Sequence, residues 1–187
     1  MAEEAKRLGF TALVLTDHYY GEEYSHCGLV RAKLESYTKA IQEAQQILPV
    51  IRGIEIPFGG EEILVFGTTA LTTIFKFGGI TSTQMLSNLR KHHYCAMILC
   101  HPGENYPDFI EHIDGYERHN SGDDQFSNRE LNGLEKLQAW HNSDAHAAVA
   151  LSWCHNIVDT KITTEDHLIK YIKSGKTHKY KMDMTYD

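Results

Sequence analysis

Residues 11–18 read TALVLTDH, a short run of leucine and β-branched residues that ends in an aspartate and a histidine. A hydrophobic run of this length predicts a buried strand, with Asp17 and His18 at its C-terminal end. Three more such stretches end in residues that bind metals: VIRGI (50–54) before Glu55, CAMILC (95–100) before His101, and LQAWHNS (137–143) before Asp144 and His146. In a parallel β/α barrel the C-terminal ends of the strands meet at one mouth, so we expect these side chains to converge there.

The order of predicted elements favours an α/β fold. Helices are predicted over 1–9, about 29–47, from Thr81 or Ser82 to His92, over 128–136, and from Thr163 or Thr164 to Lys173. Strands are predicted over 11–16, 50–56, 63–66 and 95–100, from about 114, and up to Val158. Residues 102–126 lack a sustained period and predict a loop at the mouth with a short helix or strand inside it. This alternation favours an α/β barrel or an open α/β sheet over all-β and helical-bundle folds.

Length and composition predict one domain spanning residues 1–187, since 42% hydrophobic residues suffice for a sizeable core. No apolar run approaches the ~18 residues of a membrane helix, and MAEEAKRLGF lacks the pattern of a signal peptide. We therefore expect a soluble, cytoplasmic protein. The four cysteines, which include no CxxC pair, are interpreted as reduced core residues rather than a thiolate zinc site or disulfides: Cys27, Cys95, Cys100 and Cys154.

The charge balance bears on the partners that the chain could bind. With 18 Lys and Arg against 25 Asp and Glu, the net charge is −7, which argues against a general surface for polyanions. Nucleic acid is therefore expected only as a substrate, and a small molecule is favoured. The 12 histidines suit metal binding or proton transfer at neutral pH.

The candidate ligands supply neutral nitrogen and anionic oxygen, which together bind Zn, Mn or Fe and can leave positions open. His18 is the better ligand in its triplet, and Asp17 is expected to orient a neighbouring histidine. Glu55 lies among apolar residues and needs a cationic partner, either a metal or Arg52. His101 is held extended by the proline that follows it, although a simple histidine at a strand end is the alternative.

The NSDAH stretch contributes the last two predicted ligands. Asp144 and His146 are two residues apart, which puts both side chains on one side of an extended segment. The alternative is an ordinary turn with a surface histidine. In DGYERHN, Glu117, His119 and Asn120 are candidates for lining the pocket, and a structural role is the equal alternative for Glu117.

In this order, four stretches resemble the PHP (polymerase and histidinol phosphatase) superfamily of metal-dependent phosphoesterases: AKRLGFTALVLTDH, PVIRGIEI, ILCHPGENYPD with DGYERHN, and NSDAH. The resemblance spans residues 5–146, and LIKYIKSGKTHKY looks like that family's terminal helix and strand. It implies a distorted (β/α)7 barrel of PHP type with two or three metals at its mouth. The positions that match family ligands are His18, Glu55, His101, Asp144 and His146.

The chain departs from the family pattern in two ways. Family members usually open with a strand carrying HxH, and no HxH occurs in this sequence. The predicted barrel is therefore incomplete at its N-terminus, because Met1 is an internal start, because another chain supplies the strand, or because the module is degenerate. The first explanation is favoured, and the open strand edges predict a homodimer. Glu62 stands about where several members place a histidine, and it can still act as a ligand.

The function that we expect is hydrolysis of a small phosphate monoester or nucleotide through metal-bound hydroxide, with Asp17 and His146 as catalytic residues. His146 or a water would assist the leaving group. Two alternatives stay open at this point: a metal-dependent C–N hydrolase, and a catalytically impaired binding or regulatory module that keeps part of the metal site. A thiol or redox enzyme is disfavoured, because no cysteine has an activating neighbour.

Overall fold

The computed structural model describes residues 1–19, 34–103, 109–121 and 133–183. The strands are β1 (Leu13–His18), β2 (Val50–Phe58), β3 (Glu61–Phe66), β4 (Ala96–Cys100), β5 (Gly115–Asn120), β6 (Gln138–Asn142), β7 (Cys154–Ile157) and β8 (Lys179–Met182). The α-helices are α1 (Ala2–Arg7), α2 (Leu34–Ala44), α3 (Thr68–Phe77), α4 (Thr83–His92) and α5 (Glu165–Lys173). Within these described ranges, two short 3₁₀ helices cover Ile110–His112 and Ala148–Ser152.

A six-stranded sheet in the order β1-β2-β3-β4-β5-β6 organises the molecule, and β7 and β8 form a separate antiparallel pair. β1 runs parallel to β2, and β4, β5 and β6 run parallel to one another. β3 is antiparallel to both of its neighbours. The sheet curls into a half-barrel with β1 and β6 as its terminal strands.

The predicted (β/α)7 barrel is wrong. A tight turn at Gly59 and Gly60 joins β2 directly to β3, where a parallel barrel would need a crossover helix. Both glycines have positive φ, 66° and 87°, as two-residue hairpin turns require. β3 therefore returns antiparallel, and the result is a mixed α/β fold with a curled, open sheet.

Two hydrophobic clusters cover opposite faces of the central strands. Ile54, Ile63 and Met97 belong to the cluster that includes residues of α3 and α4. Ile51, Leu64 and Ile98 belong to the cluster that includes residues of α5. Alternation along a strand then places Glu55 and Glu62 on the α5 side of the sheet.

Several predicted elements are confirmed. Ser82 caps α4 by accepting the N–H of Met85, and Thr164 caps α5 by accepting the N–H of His167. The predicted helix over 29–47 is confirmed for α2, and residues 29–33 lie outside the described residues. The predicted helix over 128–136 is wrong for its described part, because residues 133–136 form turns.

The cysteine prediction holds for the described residues. Cys95, Cys100 and Cys154 are buried free thiols, and burial raises the pKa of each. Cys27 lies outside the described residues. Among the helices that the structure describes, none combines the length and the apolar character needed to cross a membrane.

Candidate metal centre

Four side chains meet at one end of the sheet: His18, Glu55, Glu62 and His101. The strand register brings them there, because His18 pairs with Glu55 between β1 and β2, and Glu62 lies opposite Cys100, the residue before His101. Three of the four were predicted as ligands from the hydrophobic runs that precede them. The structure therefore brings His18, Glu55 and His101 together as predicted and adds Glu62.

Each glutamate lies close to both histidines: one of its carboxylate oxygens approaches His18 and the other approaches His101. His18 Nδ1 lies 3.8 Å from Glu55 Oε2 and 3.8 Å from Glu62 Oε1. His101 Nε2 lies 3.3 Å from Glu55 Oε1 and 3.2 Å from Glu62 Oε2. Ligand atoms of His18, Glu55 and Glu62 all lie within 4.8 Å of one another, so this group could hold a metal ion.

The electrostatics of the cluster are those of two carboxylates that need positive charge. Glu55 is buried, at 6% exposure, and Glu62 is half-buried. Hydrogen bonds with Glu55 and Glu62 raise the pKa of His101 to about 11, against the opposing effect of burial. A divalent cation would supply the same positive charge and leave His101 as a neutral ligand.

The Arg52 alternative for Glu55 is not what the structure shows. The Arg52 guanidinium lies 3.4 Å from Thr38 Oγ1 of α2. Glu55 is three positions along β2 and projects from the other face of the sheet. Its described partners include both histidines of the cluster.

Asp17 is not placed beside a histidine of the cluster. It interacts with Tyr37 of α2, and burial together with Asp17 raises the pKa of the Tyr37 hydroxyl. Successive residues of a strand point to opposite sides, so Asp17 and His18 cannot both face the cluster. Among the residues that the structure describes, no contact supports the predicted role of Asp17 in orienting a histidine.

Asp144 and His146 lie in the segment that follows β6, next to the four-residue cluster rather than within it. The His146 ring is 5.8 Å from the His18 ring between centroids, and its side chain is 72% exposed. The backbone of Asp144 is left-handed, with φ 47°. The segment is therefore not extended, which is why the i, i+2 spacing does not aim both side chains at the cluster.

The tautomer of His146 follows from its hydrogen bond. Its Nδ1 lies 3.0 Å from the Asp144 carbonyl oxygen, and a carbonyl only accepts, so Nδ1 carries the proton. Asp144 Oδ1 is 3.6 Å from the same nitrogen. Nε2 of neutral His146 therefore has the lone pair that can bind a metal or accept a proton.

Glu117 of β5 is the buried carboxylate beneath the site, at 3% exposure. It accepts the His101 N–H at 2.9 Å, Asn120 Nδ2 at 3.1 Å and Asn142 Nδ2 at 2.6 Å. Burial raises the pKa of Glu117, while these three hydrogen bonds oppose that shift. The sequence left Glu117 and Asn120 undecided, and the structure places both in a hydrogen-bond network.

A cavity of about 1150 Å³ opens beside the cluster, between the edges of β1 and β6. Its volume is enough for a small molecule. Residues of the site that line it are Asp17, His18, Glu55, Glu117, Asn142, Asp144 and His146.

No protein-family model matches this chain, and no curated protein matches it. The likeness to the PHP superfamily therefore stays a prediction carried by the motifs, and the geometry above stands on its own.

Proposed function

We propose that this protein is a metal-dependent phosphoesterase that hydrolyses a small phosphate monoester or nucleotide. The observation that carries the proposal is the convergence of His18, Glu55, Glu62 and His101 beside a cavity of about 1150 Å³. The motif likeness to the PHP superfamily supports the same activity.

The carboxylate oxygens of the two glutamates are shared between the two histidines. Oε2 of Glu55 and Oε1 of Glu62 approach His18, while the other oxygen of each glutamate approaches His101. Glu55 and Glu62, together with His18 and His101, would hold the divalent metal in this arrangement. Zn, Mn and Fe are the metals that suit this donor set.

Divalent metals bound there would act as Lewis acids on the phosphate and activate water for attack. The side chains of the protein would position the metal and the substrate and would neutralise the charge of the phosphate. Glu55 and Glu62 would hold divalent cations, whose positive charge would attract a phosphate ester to a protein with a net charge of −7. His146 stands at the edge of the site with Nδ1–H fixed on the Asp144 carbonyl. With Nε2 protonated as well, the imidazolium would donate the Nε2 proton to the leaving oxygen and return to the neutral ring.

A binding or regulatory module is the second candidate, because Asp144 and His146 lie outside the cluster. The two candidates differ in turnover. The test is the metal content of protein purified without chelator, measured by elemental mass spectrometry, with hydrolysis of an aryl phosphate assayed on the same sample.

Glu62→Gln should remove bound metal and turnover together, since it takes away one carboxylate that contacts both histidines. Glu43→Gln is the matched control, because it makes the same charge change on an exposed face of α2. Wild-type protein that binds metal without turning over any phosphate ester would favour the regulatory module. Wild-type protein that binds no metal would overturn the proposal.

A further inference from the structure

Glu117 joins the two sides of the candidate site. Its Oε2 accepts the backbone N–H of His101, which follows β4, and its Oε1 accepts Nδ2 of Asn142, the last residue of β6. Asn142 lies two positions before Asp144. One buried carboxylate of β5, the strand between β4 and β6, therefore contacts both His101 and the start of the segment that carries Asp144 and His146.

The three described partners of Glu117 are all donors, so the ionised carboxylate satisfies every one of them. A glutamine would offer one acceptor oxygen and one NH₂ group. The NH₂ would then face either the His101 N–H or the Asn142 NH₂, and a buried donor would lose its partner. The site thus requires a carboxylate at this position and not merely a polar side chain.

The backbone at Glu117 is also specialised. The register between β5 and β6 shifts between Glu117, which pairs with Trp140, and His119, which pairs with His141. Bulges of this kind re-aim a side chain. The irregularity lies next to the residue whose side chain points into the site.

We propose that Glu117 is a positioning residue that fixes His101 and the segment after β6 relative to each other. This inference rests on the proposed function, since it assigns Glu117 a task in building the metal centre. Glu117 would act through the backbone of His101 and the side chain of Asn142.

Asp114 provides a matched control. It is a second carboxylate at the same pair of strands, with a side chain that is 4% exposed and that accepts the Met97 N–H at 3.0 Å. It is neutralised by Arg90 and Lys173, at the end of β4 away from His101. Asp114→Asn therefore removes a buried charge and weakens a backbone hydrogen bond of β4 without touching the site.

The experiment measures amide hydrogen exchange in the metal-free full chain for wild type, Glu117→Gln and Asp114→Asn. Glu117→Gln should speed exchange at the His101 amide and across residues 143–146 by about 10-fold or more. The reason is that losing a buried hydrogen bond makes local opening easier by about that factor. Asp114→Asn should speed exchange at the Met97 amide and leave His101 and 143–146 unchanged. Unchanged exchange at His101 in Glu117→Gln would overturn the inference.

A second measurement separates this inference from the proposed function. Zn²⁺ affinity by calorimetry should fall about 10- to 100-fold in Glu117→Gln and change little in Asp114→Asn. Failure of wild type to bind Zn²⁺ would defeat the proposed function alone, because the exchange result needs no metal. Normal Zn²⁺ affinity in Glu117→Gln would defeat the positioning role alone.

Asn142→Ala covers the case in which Glu117→Gln does not fold. It removes the contact on one side of Glu117 and keeps the contact with His101. Exchange should then increase across 143–146 and stay unchanged at the His101 amide. Equal loosening on both sides would contradict the two separate contacts that the inference requires.

Discussion

His141 and Tyr180 stack face to face, with ring centroids 3.6 Å apart and planes inclined by 9°. This contact joins β6 to β8, and His119 stacks on the same imidazole at 4.9 Å. The carboxamide of Asn156 in β7 pairs with both the N–H and the C=O of His141. The outer edge of β6 at His141 is therefore covered by a side chain and by an aromatic stack instead of by a further strand.

The stack predicts that protonation of His141 destabilises the fold. Burial, with the charges of His119, His178 and Arg118, lowers the pKa of His141 to about 3. Below pH ~6.5 the unfolded chain binds a proton that the folded protein does not, so stability is full above that pH and falls as the pH drops towards 3. The lowered pKa values of His119, His155 and His178 act in the same direction.

Urea unfolding of wild type and His141→Phe at pH 7.5, 6.5 and 5.5 measures this effect. Phenylalanine keeps a ring for the stack and has no proton to bind. Between pH 6.5 and 5.5 the wild type should lose about 1 kcal/mol more than the variant, since one proton is worth ~1.4 kcal/mol per pH unit. Equal losses of stability in the two proteins would show that the pKa of His141 does not differ between the folded and unfolded states.

Glu55 controls the protonation of His101 more than Glu62 does, because its hydrogen bond is the largest cause of the raised pKa of His101. Glu55→Gln should lower that pKa strongly in the metal-free protein, and Glu62→Gln should lower it less. Histidine ring ¹⁵N chemical shifts followed against pH give the values directly. Glu43→Gln should leave the titration unchanged, and an equal drop in that control would mean that long-range charge, not contact, sets the pKa of His101.

The sequence predicts the strand ends well and the connections between strands poorly. A hydrophobic run followed by a polar residue suffices to find His18, Glu55 and His101, because strand ends are local features. Glu62 could be identified only by comparison with the PHP family pattern. Its position opposite Cys100 depends on the hairpin that the Gly59-Gly60 pair signals. Glu117 carries no local signal, because its role depends on donors from β4 and β6.

Gly60 is expected to matter for both the hairpin and the metal centre. Its φ is 87°, and a Cβ there would meet nothing within 4 Å, so Gly60→Ala costs backbone strain alone, about 1 kcal/mol. Gly9, with φ 83° and equally open space, gives the matched control Gly9→Ala. The midpoint temperature of thermal unfolding should fall by similar amounts in both variants. Zn²⁺ affinity should fall only in Gly60→Ala, because a strained turn there is expected to displace Glu62. Equal affinities would show that the turn does not set the position of Glu62.

Asp144 allows backbone and charge effects to be separated at one position. Its φ of 47° is left-handed, which asparagine and glycine adopt readily and alanine does not. Asp144→Ala should therefore lower the free energy of unfolding by about 1 kcal/mol, whereas Asp144→Asn should leave it nearly unchanged. Asp144→Asn also removes the carboxylate 3.6 Å from His146 Nδ1.

If this chain is a hydrolase that uses the Asp144 carboxylate, kcat/KM for an aryl phosphate should fall about 10- to 100-fold in Asp144→Asn at unchanged stability. Full turnover in Asp144→Asn, with loss only in Asp144→Ala, would show that the position serves the backbone of this segment and not the chemistry.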